Sequence, residues 1–272
     1  MTAQELKAAA QRLRLTILKM FYQSKTGHMA PALSCLDILT VLYLGGIVRG
    51  QKEWSPDRDR VILSKGHACA ALYAVLAEAG LFPPGELMSF YHTGSRLHGH
   101  PCRELPGIEI GTGSLGHGLC FATGTALAAK IDRKEYRTFA IIGDGESQEG
   151  SIWEAALFAS NHGLDKLIAI LDYNGLQAGF RTPIEPVADK WRAFGWDIAE
   201  VDGHDHGALL DLFTKLPTDG GRPVMIIART VKGKGFSCME NHPDWHSRAP
   251  KSEELELCCA EAGTSVRELE SI

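Results

Sequence analysis

The chain has no basic run, no basic–aromatic patch, no Cys-x-x-Cys pair and no apolar stretch long enough to cross a membrane. Each absence excludes something. Lys+Arg 28 against Asp+Glu 33 leaves a net charge of −5, which argues against a nucleic-acid or general polyanion binder. The seven cysteines, at 35, 69, 102, 120, 238, 258 and 259, are odd in number. That pattern fits reduced thiols in a cytoplasmic protein better than a disulfide frame or structural zinc. The apolar run 38–44 is far shorter than the roughly 20 residues of a membrane span. The start, Met-Thr-Ala-Gln-Glu-Leu-Lys, reads as an amphipathic helix and not as a signal peptide. No repeat, low-complexity tract or linker interrupts the 272 residues, so one domain over 1–272 is expected.

What is present centres on residues 136–177. The apolar run 139–142 reads as a short buried strand ending at Gly143-Asp144-Gly145-Glu146. Residues 151–162 read as a helix and 166–171 as a second strand, followed by Asp172-Tyr173-Asn174-Gly175. One βαβ unit of this kind makes the two strands parallel and sets Asp144 and Asn174 side by side at their carboxyl ends. A carboxylate, an amide carbonyl and a backbone carbonyl form a half-shell of hard oxygens suited to Mg²⁺ or Ca²⁺, with phosphate oxygens completing it. Glycines on either side of Asp144 let backbone approach a phosphate, and the amino end of the next helix favours an anion. The competing reading is a tight turn in which Asp and Gly only permit the geometry.

The flanking sequence extends the alternation. Helices are expected at 4–25, from a cap at Ser34 onward, up to Ala79, at 119–131, 187–194 and 206–216 with Asp205 as cap, and near the carboxyl end. Further strands are expected at 61–64, 197–201 and 222–229. Five or more strands alternating with helices define an α/β fold, a doubly wound and mainly parallel sheet with helices on both faces. Histidines mark the breaks: His28 after Gly27, His67 at a strand-to-helix junction, His98 and His100 in the loop 92–112, and His246 late in the chain. The His98-x-His100 pair makes a metal site conceivable, but a strong third and fourth ligand is missing nearby, and His204 and His206 are read with helix capping rather than metal.

Gly143-Asp144-Gly145 through Asn174 resembles the thiamine diphosphate motif. The wider text Gly143-Asp-Gly-Glu-Ser-Gln-Glu149-Gly150 resembles the amino-terminal domain of transketolase. Asp57-Arg-Asp-Arg-Val-Ile-Leu-Ser-Lys-Gly-His67 and Gly113-Ser114-Leu115-Gly116-His117-Gly118 extend the resemblance over nearly the whole chain. Departures are Tyr173 for a second Asn or Asp, Met29-Ala30 for Pro-Gly, Ser114 for Pro and His117 for Gln. The resemblance implies a thiamine diphosphate cradle of His67, Gly113, Leu115, Gly143, Asp144, Gly145, Glu146, Asn174, Leu176 and His246. It implies a metal, Mg²⁺ or Ca²⁺, on Asp144, Asn174 and the Leu176 carbonyl, and substrate-facing His28, His100 and His246, with His242 as second choice for the last. Glu149 is implied at a subunit interface.

In the family a second domain holds the aminopyrimidine and supplies a glutamate, and the resemblance stops where that domain would begin. It therefore implies the amino-terminal subunit of a split transketolase, moving a two-carbon ketol group from a ketose to an aldose with a separately encoded partner. A pair of each chain, α₂β₂, is the expected assembly, supported by the apolar positions Ile152, Trp153, Ala156, Leu157 and Ala159. Two alternatives stand beside it: the α-type subunit of another split thiamine enzyme, such as a 2-oxoacid dehydrogenase, and a non-catalytic regulatory subunit.

Overall fold

Every strand of the central sheet ends on the same edge, because all four pairings are parallel. The structure is a computed structural model that describes residues 1–52, 55–218 and 220–271; Glu53, Trp54, Asp219 and Ile272 lie outside the described residues. The helices α1 (Ala3–Ser24) and α2 (Met29–Leu44) come first, then β1 (Arg60–Leu63), α3 (Cys69–Glu78) and α4 (His117–Ile131). The unit β2 (Thr138–Gly143), α5 (Gly150–Asn161), β3 (Leu167–Tyr173) follows. The chain continues through α6 (Val187–Ala193), β4 (Asp197–Asp202), α7 (His206–Phe213) and β5 (Val224–Arg229) to α8 (Ser252–Glu261) and α9 (Val266–Ser271).

The sheet order is β1-β2-β3-β5-β4. The chain steps outward from β1 to β3, jumps to the far edge at β4, and returns with β5 between. Side chains alternate faces with a period of two. Phe139 and Ile141 share a core with α1, α2, α3 and α7. Ala140 and Ile142 share the opposite core with α4, α5 and α6. The register carries this across the sheet, with Phe139 opposite Ile168 and Ile168 opposite Val224, all in the first core. Near-continuous apolar strands result, as a sheet covered on both faces requires.

Two expectations are corrected. Helix α2 starts at Met29, not at a Ser34 cap; Ser34 lies inside it, fully buried. Pro31 is tolerated there because the first turn has no backbone acceptor for its missing N–H. Helix α7 stops at Phe213 rather than 216, although Asp205 caps it as expected, accepting from Gly207 N at 2.9 Å and Ala208 N at 3.0 Å. Helix α2 is buried on every side from Met29 to Tyr43, wedged among α1, α3 and α7.

One charged residue on α2 ties it to α1 and to the turn between β4 and α7 on the same face of the sheet. Asp37 is 1% exposed and accepts from Arg14 of α1 and from His204 Nδ1 at 2.7 Å, with His206 Nε2 at 3.1 Å. Burial alone would raise its carboxyl; the hydrogen bond from His204, the close His206 ring and the Arg14 charge hold it below the ordinary carboxylate range. His204 and His206 therefore serve a buried carboxylate, a use the sequence reading missed. Asp37→Ala strands Arg14 in a half-buried site and should cost about 3–5 kcal/mol. Urea unfolding of the purified chain checks this, and a loss below about 1 kcal/mol would reject the network as a stabilising tie.

Candidate active site

The carboxyl ends of β1, β2, β3 and β5 open onto one cleft of about 410 Å³. Its lining includes every site residue singled out from the sequence: His28, His67, His100, Gly113, Leu115, Gly143, Asp144, Gly145, Glu146, Glu149, Asn174, Leu176 and His246. It also includes Lys65, Gln177 and Lys232, to which the sequence reading gave no role. His242 is exposed and is not among the lining residues, so His246 is the late histidine that reaches the cleft.

Asp144 and Asn174 are the first residues after β2 and β3. Asp144 Oδ1 accepts from Gly145 N at 2.7 Å, and its Oδ2 accepts from Asn174 N at 3.1 Å and from Gly175 N. Asn174 Nδ2 donates to Ser34 Oγ at 3.0 Å while its Oδ1 accepts from Leu176 N at 3.0 Å. The three expected ligand groups thus belong to one short-range cluster. A Cβ on Gly145 would come within 2.8 Å of Gln177 Cβ, so only glycine lets these two loops close together. A 3₁₀ turn over Glu146–Gln148 separates Gly145 from the amino end of α5 at Gly150.

Behind this cluster lies a buried ion pair. Lys65, two residues past β1, donates to Asp172 of β3, whose carboxylate also accepts from Ser34 Oγ at 2.7 Å and from Thr230. Burial alone would lower the Lys65 ammonium; the Asp172 charge holds it above its ordinary range. Glu146 lines the cleft, yet its oxygens accept from Ser64 Oγ, from Gly116 N at 2.8 Å and from Gly143 N at 3.0 Å. It joins three loops and has no oxygen left unbonded for a cofactor.

Four imidazoles face this floor. His28 lies 5.3 Å from His67 and 5.3 Å from His246, ring centre to ring centre, and His67 lies 5.5 Å from His246. His100 stands 6.3 Å from His28, exposed, with the Gly113 backbone against its ring. At Gly113 φ is +149° and a Cβ would meet His100 Cδ2 at 3.0 Å, so the close approach needs glycine. Burial, then neighbouring positive charges, lowers His28 and lowers His67 well below its usual value. The same causes push His246 down to about 4. All three are neutral near pH 7. His28 Nδ1 and His246 Nδ1 are buried without a hydrogen-bond partner.

Two further groups are uncompensated in opposite senses. Lys232 is 1% exposed and, among the described residues, donates only to carbonyls, Gln177 O at 3.0 Å and Ala178 O at 3.5 Å; burial and then the Lys65 charge push it down to about 8. Asp144 is 3% exposed and accepts only from backbone N–H groups; burial and then the Asp172 charge push it up to about 6. One calls for an anion and the other for a cation. A diphosphate bridged by a divalent metal answers both, so the residues present fit that pair of ligands.

A cleft of this chemistry, at the carboxyl edge of a doubly wound parallel sheet, is that of the thiamine diphosphate-binding class of α/β domains. The family model described as "Transketolase, thiamine diphosphate binding domain" matches residues 5–268, and the chain belongs to that family. It is 38% identical to an apulose-4-phosphate transketolase subunit of Phocaeicola vulgatus, covering 99% of this chain and 98% of that protein. It is 40% identical to a 6-deoxy-6-sulfo-D-fructose transketolase subunit, SqwG, of a Clostridium species, covering 94% of this chain and 96% of that protein. The crystal structure of transketolase from Campylobacter jejuni superposes with a TM-score of 0.89 at 29% identity, covering 97% of this chain and 44% of that one. The chain therefore spans less than half the length of that transketolase and nearly all of the two bacterial transketolase subunits.

The neutral imidazoles set a pH dependence. Free histidine titrates near 6.5, so between about pH 6.5 and pH 4 the unfolded chain takes up protons that His246 in the folded chain refuses. Stability is then lost as pH falls through that window and levels off below it. His246→Gln should flatten the fall in thermal midpoint between about pH 7 and pH 4. An unchanged slope would show that His246 is not held neutral by the fold.

Proposed function

We propose that this chain is the diphosphate-and-metal subunit of a two-subunit transketolase, which transfers a two-carbon ketol group from a ketose or ketose phosphate to an aldose. The carrying observation is the cleft's paired deficit, a buried Lys232 without an anion beside a buried Asp144 without a cation, facing imidazole nitrogens that have no partner. Thiamine diphosphate, when bound, supplies the nucleophilic carbon that carries the two-carbon unit. Asp144, Asn174 and the Leu176 carbonyl would hold the Mg²⁺ or Ca²⁺, His67 and Lys232 would hold the diphosphate, and Leu115 and Gly113 would line the space for the ring. His28, His100 and His246 donate to and accept from the ketose carbonyl and hydroxyls, which neutral imidazoles can do in either sense. Relatives named for apulose-4-phosphate and for 6-deoxy-6-sulfo-D-fructose support a ketose with an anionic end as substrate.

The partner is a separately encoded carboxy-terminal subunit carrying the pyrimidine-binding domain, and a second copy of this chain completes an α₂β₂ assembly. Within α5, Ile152, Ala156 and Ala159 are spent on the chain's own sheet, as a self-packed helix requires. Leu157 remains 50% exposed and Phe158 41%, with Phe121 of α4 at 38%. That apolar remainder, with exposed Glu149 at the cleft, supports an interface there. No described helix is long and apolar enough to cross a membrane. The reading places residues 1–272 as one working unit in the cytoplasm, acting in carbohydrate metabolism of the pentose phosphate kind.

Three measurements test this. Mixing the chain with the product of a neighbouring carboxy-terminal subunit gene should create ketose-to-aldose transfer that neither shows alone; activity of the chain free of partner would overturn the split-enzyme reading. Asp144→Ala should abolish metal-dependent thiamine diphosphate binding in calorimetry, since the metal loses its charged protein ligand. Unchanged affinity would remove Asp144 from the metal site. In the assembled enzyme, His100→Ala should lower turnover by about a hundredfold or more while thermal stability holds. Near-normal turnover would make His100 a bystander at the cleft mouth.

A further inference from the structure

A second cluster of ligand-type side chains sits outside the cleft, in the loop that carries His100. The sequence reading finds no strong third and fourth ligand for the His98-x-His100 pair, although Cys102 and Glu104 lie two and four residues beyond it. Folding supplies two others and leaves His100 out. His98, Cys102 and Glu104 bring an imidazole nitrogen, a thiol sulfur and a carboxylate oxygen within 4.8 Å of one another. Among the described residues this is the one such grouping of His, Cys, Asp and Glu; the four cleft histidines do not form another.

The loop's own architecture fixes the three. Leu97 and Leu105 are buried on either side of them and anchor the segment in the core. The Tyr73 hydroxyl lies 3.1 Å from the carbonyl of His98 and 2.9 Å from that of His100. A turn from Cys102 to Leu105, closed by Leu105 N donating to Cys102 O at 3.2 Å, swings Glu104 back toward Cys102. The side chains themselves are uncommitted: no described group bonds the His98 ring, the Cys102 thiol or the Glu104 carboxylate. Two charged residues near the segment are paired with others, Arg96 with Glu86 and Glu109 with Arg58.

We propose that His98, Cys102 and Glu104 bind a divalent transition-metal cation of borderline softness, of the Zn²⁺ class, with water in a fourth position. Tetrahedral zinc with ligands at about 2.0–2.3 Å sets them about 3.3–3.8 Å apart, so the three atoms need to close by roughly 1 Å, which exposed side chains do by rotamer adjustment. The ligand types exclude the cation proposed for the cleft. Mg²⁺ and Ca²⁺ take oxygen shells, whereas thiolate with imidazole selects zinc or cobalt. Binding deprotonates the Cys102 thiol and releases that proton to solvent. His98 and Cys102 bracket His100, so the metal closes a ring of backbone around that residue and restrains the loop that presents it.

The test uses the full untagged chain, stripped with a chelator and titrated with Co²⁺ and then Zn²⁺. The expected result is one equivalent of Co²⁺ with a near-ultraviolet thiolate charge-transfer band and visible bands of a tetrahedral ion, displaced by Zn²⁺ and not by excess Mg²⁺. Cys102→Ser should abolish the charge-transfer band, and His98→Ala and Glu104→Ala should each weaken binding at least about tenfold. Cys120→Ser, at an exposed cysteine elsewhere, and Asp144→Ala, in the cleft, should leave the band unchanged. Absence of a thiolate band, its survival in Cys102→Ser, or its loss in Asp144→Ala would overturn the proposal. All three ligand variants lie at the surface or half-buried, and unchanged circular dichroism confirms that a lost band is a lost ligand.

Discussion

The buried pair of Lys65 and Asp172 is the constraint on which the cleft depends. Asp172 stands on β3 and is fully buried; Lys65 reaches it from the end of β1, Ser34 from the middle of α2 and Thr230 from the end of β5. Three chain segments converge on a carboxylate carried by a fourth. Such pairs contribute little net stability, because two desolvated charges offset most of their own attraction, but breaking one strands a charge. The consequence here is geometric. Ser34 donates to Asp172 and accepts from Asn174 Nδ2, so the ion pair dictates which way the Asn174 amide faces. Its carbonyl is thereby turned toward Leu176 N and the cleft, the sense a cation requires.

How much of this is legible from the sequence follows from how local each signal is. The βαβ unit is readable because buried apolar strands bounded by glycine announce themselves, and because Asp144 and Asn174 fall right after them. Asp205 is readable as a cap since the N–H groups it accepts from lie two and three residues away. Ser34 misleads for the same local reason: a serine before an apolar run imitates a cap. Its true partners are Asp172 and Asn174, 138 and 140 positions on. Helix α2 hides its start because a helix buried all round has no polar face to mark its period. Lys65 and Asp172, 107 positions apart, and His204 and Asp37, 167 apart, are intelligible only as pairs. A lone aspartate in an otherwise apolar strand is the available signal for Asp172.

The choice of histidine for the cleft wall follows from the charges beneath it. Lys65 and Lys232 already place two ammonium groups near the floor, and a third fixed cation would be repelled by both. Imidazole can shed its proton, and burial beside those lysines makes it do so. The result is a wall that is polar but uncharged, able to donate or accept at each ring. A ketose offers a carbonyl and several hydroxyls with mixed donor and acceptor demands, and neutral imidazoles meet both without forcing one charge state on the site. Lysines in the same positions could only donate.

The proposed assembly gives one side of the same cleft to a partner. Its floor is made by strand ends, and its histidine wall is set by loops that return to it: His28 beside the segment carrying His246 through a bridge to Arg248, and Gly233 N donating to Ala30 O at 3.1 Å. The side beyond Glu149 and Leu115 is different. There the chain presents the outer surfaces of α4 and α5, with Phe121, Leu157 and Phe158 open to solvent. An apolar surface of that kind beside a half-walled cleft is costly to leave wet, whereas covering it with a second protein surface removes it from water and closes the cleft together. Exclusion of water in turn strengthens every electrostatic contact made by Asp144, Lys232 and the imidazoles. On the proposed assembly, a partner surface laid over α4 and α5 would also lower the dielectric in which the cleft's charges act, and so couple assembly to cofactor binding.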